Sequence, residues 1–182
     1  MKVIYLAAGC FWATEKIFSE VDGVESAVSG YANGKEDITE PSYELVCTGL
    51  TGYRETVKVT FDETKVSLKK LLLIFFNIID PTVYDRQGAD VGPQYQAGIY
   101  YTTDDQLDVI EETSQIVKDT APAFCVEIKP FERFYDAEEY HQKYLEKNPN
   151  GYCHISRAKI VDLPGRSEDE LTKILKERQY FI

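Results

Sequence analysis

A chain of 182 residues, 43% hydrophobic and 28% charged, has the composition of one globular domain able to bury a core without disulfide or metal staples. Its net charge of −11 excludes nucleic acid or anionic lipid held through a basic patch, and no apolar run reaches the roughly 18 residues of a spanning helix. The N-terminus enters a strand-like run after one lysine, without signal-peptide architecture, so the expected setting is the cytoplasm, with neither nucleic acid nor membrane as a partner.

Taken in order, Lys2 to Ala8 is a short apolar run of strand composition, and Trp12 to Val21 permits a helix closed by Asp22-Gly23. Between them stands Gly9-Cys10-Phe11-Trp12, a cysteine set where a strand ends and a helix begins. Unpaired backbone N–H groups and the helix dipole favour an anion there, and a thiol of pKa about 8.5 can fall to roughly 3.5–7.5 in such a place. These residues alone leave two readings open: an activated nucleophile beside two aromatic faces, or a buried cysteine packed with core Phe and Trp.

Val24 to Tyr31 alternates like a half-buried strand and runs into an Asn33-Gly34 turn. The stretch from there to Gly52, rich in Thr, Gly, Pro and Tyr, reads as a long loop of the kind that carries function. Glu55 to Phe61 is a strand with Val57, Val59 and Phe61 on one face. Leu68, Leu71, Leu72, Phe75, Phe76 and Ile79 follow helical spacing, Leu73, Ile74 and Ile78 widen the apolar face, and Asp80-Pro81 stops the helix. Tyr84 to Gly92 reads as a second loop and Ala97 to Tyr101 as a strand. Thr103 and Gln106 have capping-box spacing and open a helix containing Leu107, Ile110 and Val117. Val126 to Ile128 is a brief strand, and the sequence predicts a helix from Asp136 to about Lys147, ended by Asn148-Pro149-Asn150-Gly151.

Beyond Ser156, Leu163-Pro164-Gly165 reads as a linker. Ser167 to about Arg178 reads as a charged helix with a capping box at Ser167 and Glu170 and a stripe of Leu171, Ile174 and Leu175. There is no internal repeat. The element order predicts an α+β fold: a two-layer α/β sandwich with a mixed or antiparallel sheet, ferredoxin-like, plus a C-terminal helical tail. The body is expected over 1–155, with 156–182 as a linker and a helix packing on it.

The cysteines are Cys10, Cys47, Cys125 and Cys153, with no C-x-x-C pair, and the only histidines are His141 and His154. Neither a disulfide scaffold nor a zinc site is expected, and no metal or other cofactor. Cys47 and Cys125 read as small packed hydrophobes, with Cys47, in the functional loop, the exception to watch; the two histidines read as structural.

Several loop segments are polar and aromatic in a way a plain surface loop does not need: Pro41-Ser42-Tyr43, Thr51-Gly52-Tyr53-Arg54-Glu55, Arg86-Gln87-Gly88-Ala89-Asp90, Gln94-Tyr95 and Asn148-Pro149-Asn150-Gly151-Tyr152-Cys153. Together with Gly9-Cys10-Phe11-Trp12, and in this order, they resemble the A-type peptide methionine-S-sulfoxide reductases over roughly residues 3–154. The resemblance implies Cys10 as nucleophile, Phe11 and Trp12 as walls of a methyl pocket, Tyr43, Glu55, Asp90 and Tyr95 as the polar catalytic set, and Cys153 as the recycling cysteine. It also implies a methionine sulfoxide substrate, free or in proteins, of the S epimer, and thioredoxin as reductant. Ala13, Tyr53, Ala89, Pro93 and Gln96-Ala97 depart from the family pattern, which bears on the hydrogen bonding around Glu55 and the loop beside Asp90.

The chemistry fits these residue types. A thiolate attacking a sulfoxide sulfur needs a neutral carboxylic acid and hydroxyl donors for the oxygen, which Glu55, Tyr43 and Tyr95 can supply. The resulting sulfenic acid condenses with a second thiol, and thioredoxin, at about −270 mV, is suited to reduce that disulfide. Two rivals stand beside it. A Cys-His hydrolase using Cys10 with His141 or His154 gives Cys153 and the Glu/Tyr/Asp set no work; a binding module places Cys10 in the core.

Overall fold

The computed structural model describes residues 1–180. Its centre is a mixed six-stranded sheet. Strand β1 (Lys2–Ala7) alternates strictly, with Ile4 and Leu6 in the main core and Tyr5 and Ala7 on the opposite face. Helix α1 (Phe11–Ser19) follows, then β2 (Val24–Ala32). After a short helix α2 (Tyr43–Cys47) come β3 (Arg54–Phe61) and α3 (Leu68–Ile78). A two-residue hairpin, β4 (Arg86–Gln87) and β5 (Asp90–Val91), leads to β6 (Gly98–Tyr101). Then come α4 (Asp104–Lys118), β7 (Glu127–Pro130), β8 (Phe134–Asp136), α5 (Tyr144–Lys147), α6 (Arg157–Asp162) and α7 (Glu168–Glu177).

The sheet order is β7-β6-β1-β3-β2-β8, antiparallel throughout except for β6 with β7. Helix α3 buries every residue from Leu71 to Ile78. At about 1.5–3 kcal/mol for each large apolar side chain buried, this outweighs the few tenths that Ile and Phe cost in helix propensity. The opposite sheet face is closed by Phe131, stacked on Tyr5 at 4.0 Å, and by Phe134. Helix α7 forms with the expected capping box at Ser167 and buries Leu171 and Leu175. It packs on α3 and α4, and Arg178 donates to the Phe76 and Ile79 carbonyls at the end of α3. Among the described residues no helix is long and apolar enough to cross a membrane.

Four local expectations are corrected. The helix over 136–147 does not form. Phe134–Asp136 pairs with β2 instead, and the Gln142 amide bonds to the Ser29 N–H and carbonyl and to the Ala137 carbonyl. Tertiary bonds to β2 therefore claim the segment, and Lys143 adopts a φ of 52° before the single turn of α5. The Thr103 capping box is absent, because the Gln106 side chain accepts from Thr102 N–H and donates to the Val3 carbonyl. The long loop before Gly52 contains α2, capped by the Ser42 hydroxyl. The linker at 163–165 is a buried turn rather than a free one, with Leu163 and Pro164 covered, and α6 precedes it.

Candidate active site

Gly9, two residues past β1, takes a φ of 82°, a conformation natural to glycine, and a Cβ there would stand 2.7 Å from Gln87 Cβ. This turn sets Cys10 at the position capping α1, 7% exposed. Burial pushes the Cys10 thiol well above its ordinary value, and Glu55 adds to the rise; the Trp12 N–H opposes it, while Asp90 and Cys153 reinforce it. The helix terminus therefore does not lower this thiol at rest. A partial charge of about half a unit at the helix start does not offset taking a thiolate out of water beside acidic groups.

Glu55, the second residue of β3, is 2% exposed, and its Oε1 accepts the Phe11 N–H at 3.3 Å. Burial raises its carboxyl to about 8, helped by Asp90 and opposed by the Phe11 N–H. At neutral pH it is therefore a protonated donor rather than a charge beside Cys10. Tyr43 opens α2 and Tyr95 closes the turn Pro93–Tyr95 before β6. Burial, with Glu55 nearby, holds both phenols above their usual range, so both keep a proton to donate. Asp90 begins β5, and its charge is felt by Cys10, Glu55, Tyr95, Tyr152 and Cys153.

Phe11 is fully buried, 5.9 Å from the Tyr31 ring and 5.1 Å from His141, centroid to centroid. Trp12 is half-buried and stacks on Tyr144 at 3.7 Å. Its indole N–H donates to His141 Nδ1 at 3.0 Å. Burial lowers the His141 imidazole, which keeps it neutral and able to accept that bond. Cys153 is half-buried; its thiol donates to the Ile155 carbonyl at 2.8 Å and accepts the Ile155 N–H at 3.3 Å. It borders an apolar cavity of about 220 Å³ with Leu145, Ile160, Val161, Lys16 and Arg157. Among the described residues no group of three His, Cys, Asp or Glu side chains is placed to hold a metal ion.

A family model described as peptide methionine sulfoxide reductase matches residues 2–170. The chain belongs to that family. Its members are oxidoreductases, and this chain is an enzyme of that class. The peptide methionine sulfoxide reductase MsrA of Alkaliphilus metalliredigens is 52% identical over 157 residues, covering 86% of this chain and 98% of the relative. The fold is also similar to solved ones. Mxr1 from Saccharomyces cerevisiae in reduced form superposes with a TM-score of 0.80 at 36% identity, covering 85% of this chain and 91% of that one. Mxr1 in complex with Trx2 gives 0.55 at 27% identity, covering 79% and 84%.

In this family member the residues marked in the sequence converge on Cys10 and Asp90: Glu55, Tyr95 and Cys153 each lie within electrostatic reach of both. Tyr43 joins them through Glu55 and Tyr95. The packed reading of Cys47 is corrected, since its side chain is exposed on α2, one turn from Tyr43. Cys125 is half-buried. Two of the departures from the family pattern, Tyr53 and Gln96, have structural work. Tyr53 is buried and its hydroxyl donates to the Ile38 carbonyl at 2.6 Å. Gln96 accepts the Asp85 N–H at 2.8 Å and donates to the Cys125 carbonyl at 2.7 Å, tying the entry to the Asp90 hairpin to the segment just before β7. Sequence reasoning missed Tyr144 and Glu138, and gave His141 a place only in the rival hydrolase reading. Glu138 accepts from the Tyr31 hydroxyl at 3.0 Å and the Tyr43 N–H at 3.1 Å, fixing the start of α2. The Glu-Tyr-His-Gln run resembled a helix and hid them.

Proposed function

We propose that this enzyme reduces methionine S-sulfoxide, free or in proteins, to methionine, with Cys10 as nucleophile. The observation that carries the reading is Glu55: a buried carboxyl raised to about 8 and bonded to the residue after Cys10. The Cys10 sulfur attacks the sulfoxide sulfur while Glu55, with Tyr43 and Tyr95 donating, protonates the oxygen. That oxygen ends as a hydroxyl on Cys10, methionine leaves, and the Cys10 thiol proton restores Glu55. Proton transfer within the site suits a thiol that burial keeps protonated at rest. Asp90 sets the field around Glu55, and Phe11 and Trp12 wall the methyl group and exclude water.

The Cys10 sulfenic acid then condenses with Cys153 to a disulfide, and thioredoxin reduces it. The similarity to a protein solved in complex with Trx2 supports that partner. No cofactor is needed. The βαββαβ core, with β6, β1, β3 and β2 adjacent in that order, supports the ferredoxin-like description. The packing of α7 on α3 and α4 supports 156–182 as a tail on a catalytic body of 1–155. The proposed setting is the cytoplasm, in keeping with four free cysteines.

The test is turnover of the two separated sulfoxide epimers with dithiothreitol or thioredoxin, and a count of free thiols after substrate alone. Release of methionine from the S epimer with loss of two thiols supports the reading. Unchanged thiols and no methionine overturn it.

A further inference from the structure

His154 is a buried imidazole that the chemistry above does not use. Its side chain is 5% exposed, and neither ring nitrogen makes a hydrogen bond of ordinary geometry among the described residues, the Ala8 carbonyl being only a loose polar neighbour. Asp90 Oδ2, likewise unpartnered, faces His154 Nδ1 at 3.8 Å. Two buried polar groups left open to each other are costly, and that arrangement is typical of a site that works on protons.

The ring lies under the catalytic turn. A Cβ on Gly9 would stand 3.3 Å from His154 Nε2, and one on Gly88 would stand 3.5 Å from His154 Cβ. Two glycines thus leave room for the imidazole between the turn carrying Cys10 and the hairpin carrying Asp90. The titratable group that faces it is Asp90 from β5, while Cys10 follows Gly9 in the turn and Cys153 precedes His154 in the chain. Gln87 and Gly88 are uncharged, and Ala8 presents a carbonyl. Burial lowers the imidazole, while Asp90 and the Ala8 carbonyl raise it.

We propose that the Asp90–His154 pair carries the proton of the disulfide-forming step, with His154 a positioning residue that acts through Asp90. This rests on the sulfenic acid and the Cys10–Cys153 disulfide proposed above. In that step the S–O bond on Cys10 breaks and the Cys10–Cys153 S–S bond forms. The Cys153 sulfur is oxidised and the Cys10 sulfur is reduced from the sulfenic level. The Cys153 thiol proton leaves with the hydroxyl as water. Burial holds the Cys153 thiol above its ordinary value, so its proton needs an acceptor before the sulfur can attack. A neutral imidazole next in the chain takes it through Asp90, whose carboxylate stabilises the imidazolium, and the proton returns to the hydroxyl leaving Cys10.

The experiment treats the full chain with methionine sulfoxide without reductant, from about pH 5.5 to 8.5. It follows methionine release and thiol loss as separate rates in wild type and His154→Gln. The expected result is loss of the second thiol, that of Cys153, slowed at least about 10-fold more than methionine release, with which the Cys10 thiol is lost. The fall of the disulfide rate toward acid pH, present in wild type, should be absent in the variant. A folded His154→Gln protein with the wild-type ratio of rates and the wild-type pH profile overturns the inference. If that variant does not fold, His154→Asn, a smaller neutral amide in the same space, is judged by the same ratio and the same acid limb. A wild type that releases methionine without forming the Cys10–Cys153 disulfide overturns the disulfide reading and this inference together. A disulfide that forms at an unchanged rate in the variant overturns this inference alone.

Discussion

The Phe11 N–H donates to Glu55 Oε1 across 3.3 Å, so the first residue of α1 is tied to the carboxyl of β3 immediately beside Cys10. One of the free N–H groups at the helix start, which could have favoured a Cys10 thiolate, is held instead by the group that gives the proton. Acid and nucleophile are thus positioned by a single helix terminus.

A carboxyl raised to about 8 fixes the sign of one pH effect. Reduction needs the Glu55 proton, so the single-turnover rate should fall as pH rises through about 8. Glu55→Gln should lower that rate by roughly two to three orders of magnitude, with lesser losses in Tyr43→Phe and Tyr95→Phe. Rapid-quench assay of methionine release checks this; an unchanged rate in Glu55→Gln would move the acid role to Asp90.

The same carboxyl affects stability with the opposite profile to an ion-paired acid. Between the ordinary carboxylate range, near 4.5, and about 8 the folded state keeps the Glu55 proton and the unfolded state has lost it. Stability therefore falls as pH rises across that window, by at most about 1.4 kcal/mol per unit from this group. Glu55→Gln, which cannot ionise, should gain in Tm over wild type progressively from about pH 5 to 8. Thermal melts across that range test it, and a gap that does not widen with pH would place Glu55 in a wetter site.

Cys10→Ser should abolish methionine release even in one turnover, since no other thiol sits at the Gly9 turn against Glu55. Normal sulfoxide reduction by Cys10→Ser would sink the mechanism.

Much of this is legible in the amino-acid sequence. The alternation of β1 and β3 and the apolar breadth of α3 are local patterns that one buried sheet face enforces. The family resemblance, drawn from loop motifs, is borne out by the family match. What the sequence misled on was decided at long range. Ser167 and Glu170 form their capping box, whereas Gln106 abandons Thr103 for the Val3 carbonyl. The helical composition of 136–147 yields to Gln142 bonding Ser29 on β2. At the site, Gly9-Cys10-Phe11-Trp12 marked the place, but the Cys10 thiol answers to burial and to Glu55 and Asp90, which arrive from other elements.

Trp12 rests between Tyr144 and His141, so its indole N–H is both a wall fixture and a partner for a buried ring. Trp12→Phe keeps an aromatic face but leaves His141 Nδ1 without a donor, at a cost of about 1–3 kcal/mol. Tm should fall, and KM for free methionine sulfoxide should rise more than kcat falls. Steady-state assays with dithiothreitol check the split. An unchanged KM would place Trp12 outside the substrate pocket.

Cys153 should serve recycling and not the first chemical step. Attack on the sulfoxide needs only Cys10 and its proton donors, whereas thioredoxin acts on a disulfide. The Cys153 thiol is engaged with Ile155, so forming the disulfide requires it to leave those bonds. In Cys153→Ser the first turnover should release about one methionine per chain at near-normal rate. Cycling with thioredoxin should then fail, because Cys10 stays a sulfenic acid, while dithiothreitol restores part of it by attacking that acid directly. Mass spectrometry of unreduced, substrate-treated wild type should show a Cys10–Cys153 crosslink. A Cys10–Cys47 crosslink, or normal thioredoxin cycling by Cys153→Ser, would give the recycling role to Cys47, which is exposed on α2 beside Tyr43.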